Sequence, residues 1–138
     1  MLSSILLVDD NATDILLVKE ALEDLEFDVV VHVAHDGLEA IKMAREIIPD
    51  LILMDIMMPK MGGIEALVEI RKLFPKGGMK IVILTTSGDE RDTDAALLNE
   101  ADGFVAKPVE ASANYESKIL AIKSIFHEEE FEFVIFNK

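Results

Sequence analysis

The chain contains no cysteine. Disulfide bridges and thiolate metal sites are therefore excluded, and the absence is the one expected of a cytoplasmic protein, where thiols stay reduced. Positive charge is scarce: 13 Lys and Arg stand against 27 Asp and Glu, a net charge of −14. Phosphate contacts need clustered Lys and Arg, so nucleic acid is set aside as a partner. The balance suits a basic or neutral partner surface, or a bound cation. Long apolar runs are missing too. The longest falls far short of the roughly 20 residues that cross a bilayer, so no membrane span is read. The opening MLSSILLVDD has no positive charge before its short apolar run and meets two acids at once, unlike a secretory signal. Internal repeats, low-complexity segments and linkers are absent as well.

What is present is 138 residues with a hydrophobic fraction of 51%, enough for one domain with a proper core. Apolar runs at Ile5–Val8, Val29–Val33, Leu51–Met54, Ile81–Leu84 and Phe104–Ala106 read as strands. Between them the apolar residues fall at helical spacing. Ile15, Val18, Leu22 and Leu25 follow a start at Asn11, which can cap the helix. Leu38, Ile41, Ala44 and Ile48 follow an Asp36-Gly37 turn signal and stop at Pro49. Ile64, Leu67, Ile70 and Phe74 follow the Gly62-Gly63 pair. A fourth helix is expected from about Arg91 to Glu100, and Asp102-Gly103 reads as a turn. A last helix carries Tyr115, Ile119, Ile122 and Phe126 and ends near His127. Five strands alternating with five helices imply an α/β fold with a mostly parallel sheet and right-handed crossovers. The expected division is a domain over residues 1–127 and a tail over 128–138. In that tail Phe131, Phe133 and Ile135 alternate with Glu132, Val134 and Phe136, a pattern for an added extended segment. It is expected to pack on the domain or pair with a partner strand, as in a homodimer.

In such a sheet the functional crevice lies outside the carboxyl ends of the strands. The residues there are Asp9 and Asp10, Asp55, Thr85 to Ser87, and Lys107. Carboxylates about 4 Å apart repel by about 4 kcal/mol per pair at an effective dielectric near 20, so a cation must offset them or a pKa must rise. Carboxylate oxygens suit a hard divalent ion, Mg²⁺ or Mn²⁺. Lys107 adds a positive charge and Thr85 a donor. Together they make a site for a phosphoryl group, with Asp55 as the nucleophile that forms an acyl phosphate.

The motifs LLVDD at 6–10, LILMDIMMPKMGG at 51–63, LTTSG at 84–88 and DGFVAKP at 102–108 stand in an order and spacing that resembles the receiver domain of two-component response regulators, in the single-domain, chemotaxis-regulator-like form. The resemblance covers roughly residues 4 to 125. It implies a doubly wound, flavodoxin-like parallel sheet of order 2-1-3-4-5 flanked by five helices. By the same resemblance Asp55 is the phosphoacceptor. Asp9, Asp10, Asp55 and the backbone carbonyl of Met57 hold Mg²⁺ (or Mn²⁺). Thr85 and Phe104 are switch residues, and Lys107 pairs with the phosphoryl group. A sensor histidine kinase or phosphotransfer protein would donate the group. A downstream effector would read the face made by the fourth helix, fifth strand and last helix. The implied protein is a regulator rather than a turnover enzyme. Met57, two residues after Asp55, is apolar where regulators with fast dephosphorylation often carry a polar side chain, which implies a long-lived phosphoryl group. A haloacid-dehalogenase-type phosphatase would need a second Asp at Met57. A phosphorylation-independent, degenerate receiver would not need the intact set of Asp9, Asp10, Asp55, Thr85 and Lys107.

Overall fold

A computed structural model describes residues 4–24, 29–85 and 90–106. Five strands appear where the apolar runs predict them: β1 (Ser4–Val8), β2 (Val30–Ala34), β3 (Leu51–Asp55), β4 (Lys80–Thr85) and β5 (Gly103–Ala106). β1, β3, β4 and β5 extend the apolar run by a residue or two and β2 is shifted along it by one, because backbone pairing does not stop at the edge of the apolar side chains. The strands form one parallel sheet of order β2-β1-β3-β4-β5. The register sets Ile5 beside Leu51, Leu51 beside Lys80, and Val82 beside Gly103. At the amino edge Asp50 latches the first strand: the Ser4 N–H donates to Asp50 Oδ2 at 3.0 Å and the Asp50 N–H to the Ser4 carbonyl at 3.1 Å.

Four helices connect the strands: α1 (Ala12–Asp24), α2 (Gly37–Ile47), α3 (Gly63–Leu73) and α4 (Glu90–Leu98). Asn11 caps α1, its Oδ1 accepting the Asp14 N–H at 3.0 Å. Asp36-Gly37, read from sequence as a turn, is the start of α2 instead. Asp36 is its N-cap and accepts the Glu39 N–H at 2.8 Å, which satisfies one of the donors a helix start leaves open. The helix ends at Ile48 in the left-handed region, φ 49°, just ahead of Pro49.

β3 is buried at every position, as a strand covered on both faces must be. Leu6, Val8, Ile52, Met54, Ile81, Ile83 and Phe104 pack with Ala40, Ala44, Ala66, Leu67 and Ile70 under α2 and α3. Ile5, Leu7, Leu51, Leu53, Val82 and Leu84, the alternate residues, are just as buried on the other face. Right-handed crossovers with this strand order place α1 on that second face. The expected fifth helix, Lys107 and the 131–136 segment lie outside the described residues. No helix among the described residues is long and apolar enough to cross a membrane.

One buried polar network was not anticipated. Arg71 of α3, 6% exposed, donates Nε to the Glu100 carbonyl (2.8 Å) and Nη1 to the Met79 (2.9 Å) and Phe74 (3.3 Å) carbonyls. Its Nη2 lies 2.6 Å from Asp102 Oδ2, which also accepts the Ile81 N–H at 2.8 Å. Asp102 is therefore less a turn residue than the counter-charge of a buried guanidinium that ties α3, β4 and the α4–β5 connection together.

Candidate functional site

The carboxyl ends of β1 and β3 are neighbours in the sheet, and the chain leaves both on an acid. Asp9 follows β1 directly and Asp55 is the last residue of β3. One carboxylate oxygen from each of Asp9, Asp10 and Asp55 lies within 4.8 Å of the other two. Asp9 is fully buried and Asp55 is 6% exposed, while Asp10 faces solvent. The Asp9 carboxylate accepts the Asn11 N–H at 3.0 Å, and its own N–H donates to the Ala34 carbonyl at 3.0 Å, which fixes the acid over the β1–β2 edge. Asp55 Oδ1 accepts the Ile56 N–H at 2.8 Å, so the backbone just past the strand orients the carboxylate.

Three carboxylates at this spacing, two of them withdrawn from water, repel strongly in the reduced dielectric. The donor set is all oxygen, with no imidazole or thiolate. That chemistry fits a hard divalent cation and does not fit zinc or copper. Asp9, Asp10 and Asp55 are thus the side chains that would hold such an ion. The side chain of Met57 is 77% exposed and adds no polar group.

Of the other expected residues, Thr85 lies on the same edge of the sheet and Phe104 lies in the core. The register pairs Asp55 with Leu84 and so sets Thr85 one step beyond it on the same edge, opposite Ala106 of β5. Lys107 follows Ala106 in sequence and lies outside the described residues. Phe104, in β5 beside Ile83, is 4% exposed with its ring in the core under α2 to α4.

Sequence reading passed over what holds this group in place. The β3–α3 loop is closed at its neck by the Gly63 N–H donating to the Ile56 carbonyl at 2.8 Å. A Cβ on Gly63 would stand 1.9 Å from the Asp55 carbonyl oxygen, so α3 starts directly against the backbone of the acid. The glycine pair was visible as a helix start, but its contact with Asp55 was not.

With this geometry in place, comparison with known proteins is specific. The model of the response regulator receiver domain matches residues 5–117. The chemotaxis protein CheY of Halobacterium salinarum is 40% identical over 108 residues, covering 78% of this chain and 87% of that protein. Among solved structures, the Mn²⁺-bound form of the response regulator Rcp1 superposes with a TM-score of 0.76 at 29% identity, over 96% of this chain and 99% of that one. The phosphorylated cyanobacterial phytochrome response regulator RcpA gives 0.79 at 28% identity, over 95% and 98%.

Proposed function

This chain belongs to the response regulator receiver domain family, and its function is that of a phosphoacceptor signalling domain; on that premise we propose that Asp55 is the acceptor, served by Asp9, Asp10, Thr85 and Lys107. The observation that carries the assignment is the carboxylate group itself: Asp55, ending β3, within 4.8 Å of the acids that follow β1. In the transfer, a carboxylate oxygen of Asp55 attacks the phosphorus of a phosphohistidine. The new bond is O–P, and the bond that breaks is N–P of the donor imidazole, which leaves with the electron pair and takes up a proton. The Ile56 N–H holds the attacking carboxylate while this happens. Asp9, Asp10 and the Met57 carbonyl would hold Mg²⁺ or Mn²⁺, which supplies the positive charge that lets an anion approach this acidic edge. Mn²⁺ in Rcp1 supports that ion class. Thr85 and Lys107 then engage the phosphoryl oxygens, and Phe104 follows. Phosphorylation shifts the population of two states of the α4–β5 face. A histidine kinase or phosphotransfer protein is the donor, an effector protein reads that face, and the chain acts in the cytoplasm as a regulator rather than a turnover enzyme.

Acetyl phosphate with Mg²⁺ tests the acceptor. The wild type is expected to gain the mass of one phosphoryl group, and Asp55→Asn none. A wild type that gains nothing points to a phosphorylation-independent module. The exposed apolar side chain of Met57 offers water no polar partner, so the phosphoryl group is expected to persist for minutes or longer, and Met57→Asn to shorten its life. A wild-type half-life of seconds sinks that expectation.

A further inference from the structure

The loop that follows Asp55 contains a strained turn. Lys60 has φ 65°, and the Met61 N–H donates back to the Pro59 carbonyl at 2.7 Å across it. A three-residue turn with positive φ at a lysine is rarely populated, and it persists only where its surroundings impose it. Those surroundings are the first turn of α2. The Gly37 N–H donates to the Met61 carbonyl at 2.9 Å. Gly37 meets Met61 so closely that a Cβ would lie 2.6 Å from that carbonyl oxygen and 2.8 Å from Met61 Cγ. Beside it the Lys60 ammonium lies 3.7 Å from Oδ2 of Asp36, the α2 N-cap, whose other oxygen caps the helix. The ion pair is largely exposed on the lysine side and adds little alone. The backbone contact at Gly37 carries the attachment.

We propose that the first turn of α2 braces the phosphoacceptor loop, with Asp36 and Gly37 as positioning residues that hold Lys60 and Met61, and through them Ile56 and Met57, in the geometry used for cation binding and phosphoryl transfer. The inference rests on the acceptor reading of Asp55. It reaches beyond that reading because neither residue touches the carboxylate group. Among the described residues the loop is attached through the backbone at two points, the neck at Gly63 and the brace at Gly37, and the stretch between them includes the strained lysine. Loss of the brace lets Lys60 relax to negative φ and moves the segment beside Asp55 without disturbing the sheet.

Coupling between two sites is reciprocal, which supplies the test. If the brace favours cation binding, the cation favours the brace. Amide exchange followed by NMR on the unaltered protein is expected to show the Gly37 N–H slowed about tenfold at saturating Mg²⁺. Calorimetry on Gly37→Ala is expected to show Mg²⁺ binding weakened by about the same factor, with slower labelling of Asp55 by acetyl phosphate. Leu38→Ala, an exposed side chain in the same turn, should leave both unchanged. Gly37 exchange indifferent to Mg²⁺, or Gly37→Ala binding Mg²⁺ as the wild type does, overturns the brace. The exchange measurement decides the point even where Gly37→Ala does not fold. A wild type that binds Mg²⁺ with slowed Gly37 exchange but takes no phosphoryl group instead counts against Asp55 as acceptor and leaves the brace standing.

Discussion

Asp102→Ala is expected to destabilise the fold by about 3–5 kcal/mol, the range seen when one partner of a buried ion pair is removed. Whole domains are stable by only about 5–15 kcal/mol, so the loss is a large share. The cause is what remains behind. Arg71 would keep its bonds to the carbonyls of Glu100, Phe74 and Met79 but lose its only fully buried counter-charge among the described residues, and the Ile81 N–H would lose its acceptor. Lys80, whose ammonium lies 3.9 Å from Asp102 Oδ1, is partly exposed and is the least affected. Urea unfolding should show a lower midpoint with an unchanged slope. Replacing both partners with apolar residues, Arg71→Met with Asp102→Leu, should recover part of the loss because no bare charge is then buried. A double variant no more stable than Asp102→Ala alone would mean that the carbonyl bonds of Arg71, rather than the charge pair, dominate.

The second large effect is expected at Gly63. A methyl group there has to displace the Asp55 carbonyl oxygen at 1.9 Å, the Asp55 carbonyl carbon at 2.9 Å and Ile56 Cα at 3.1 Å. All three are backbone atoms in or beside a fully buried strand, so none can swing aside as a side-chain tip would. Gly63→Ala is therefore expected near the upper end of overpacking costs, about 3 kcal/mol. The displacement falls on Asp55, the proposed acceptor, so its labelling should be lost even in the fraction that folds. Gly78→Ala is the natural control: a Cβ there meets nothing within 4 Å. A Gly63→Ala protein that labels at the wild-type rate would show that α3 can shift as a body without moving Asp55.

The strands and the acids at their ends were readable because each is written locally, whereas the strand order came from the family resemblance. The run from Leu51 to Met54 is apolar because both faces are covered, and Asp55 breaks it where the strand surfaces. Asn11 announced its helix by being a capping residue. Arg71 and Asp102 were not readable. Each is a polar letter in a polar-looking place, and their partnership spans 31 residues of chain. Asp36-Gly37 was misread as a turn for a related reason: the same two letters serve a turn and a helix start, and only the Glu39 N–H at 2.8 Å distinguishes them. Glycines 37 and 63 signalled a change of direction, but what each approaches is fixed only by packing, Gly37 against Met61 of the β3–α3 loop and Gly63 against the backbone of Asp55.

The place of β1 inside the sheet, between β2 and β3, bears on how the molecule assembles as it is made. β1 pairs on both sides, and its second neighbour arrives only with β3, the Ser4–Asp50 latch closing a separation of 46 residues. Contacts of that range form late and slowly compared with helices. Asp9 and Asp10 are synthesised long before Asp55, yet the three share one edge only after that closure. The three-carboxylate group is thus assembled in the same event that joins β1 to β3, so a nascent chain stalled before β3 carries Asp9 and Asp10 but neither the complete cation site nor the proposed acceptor.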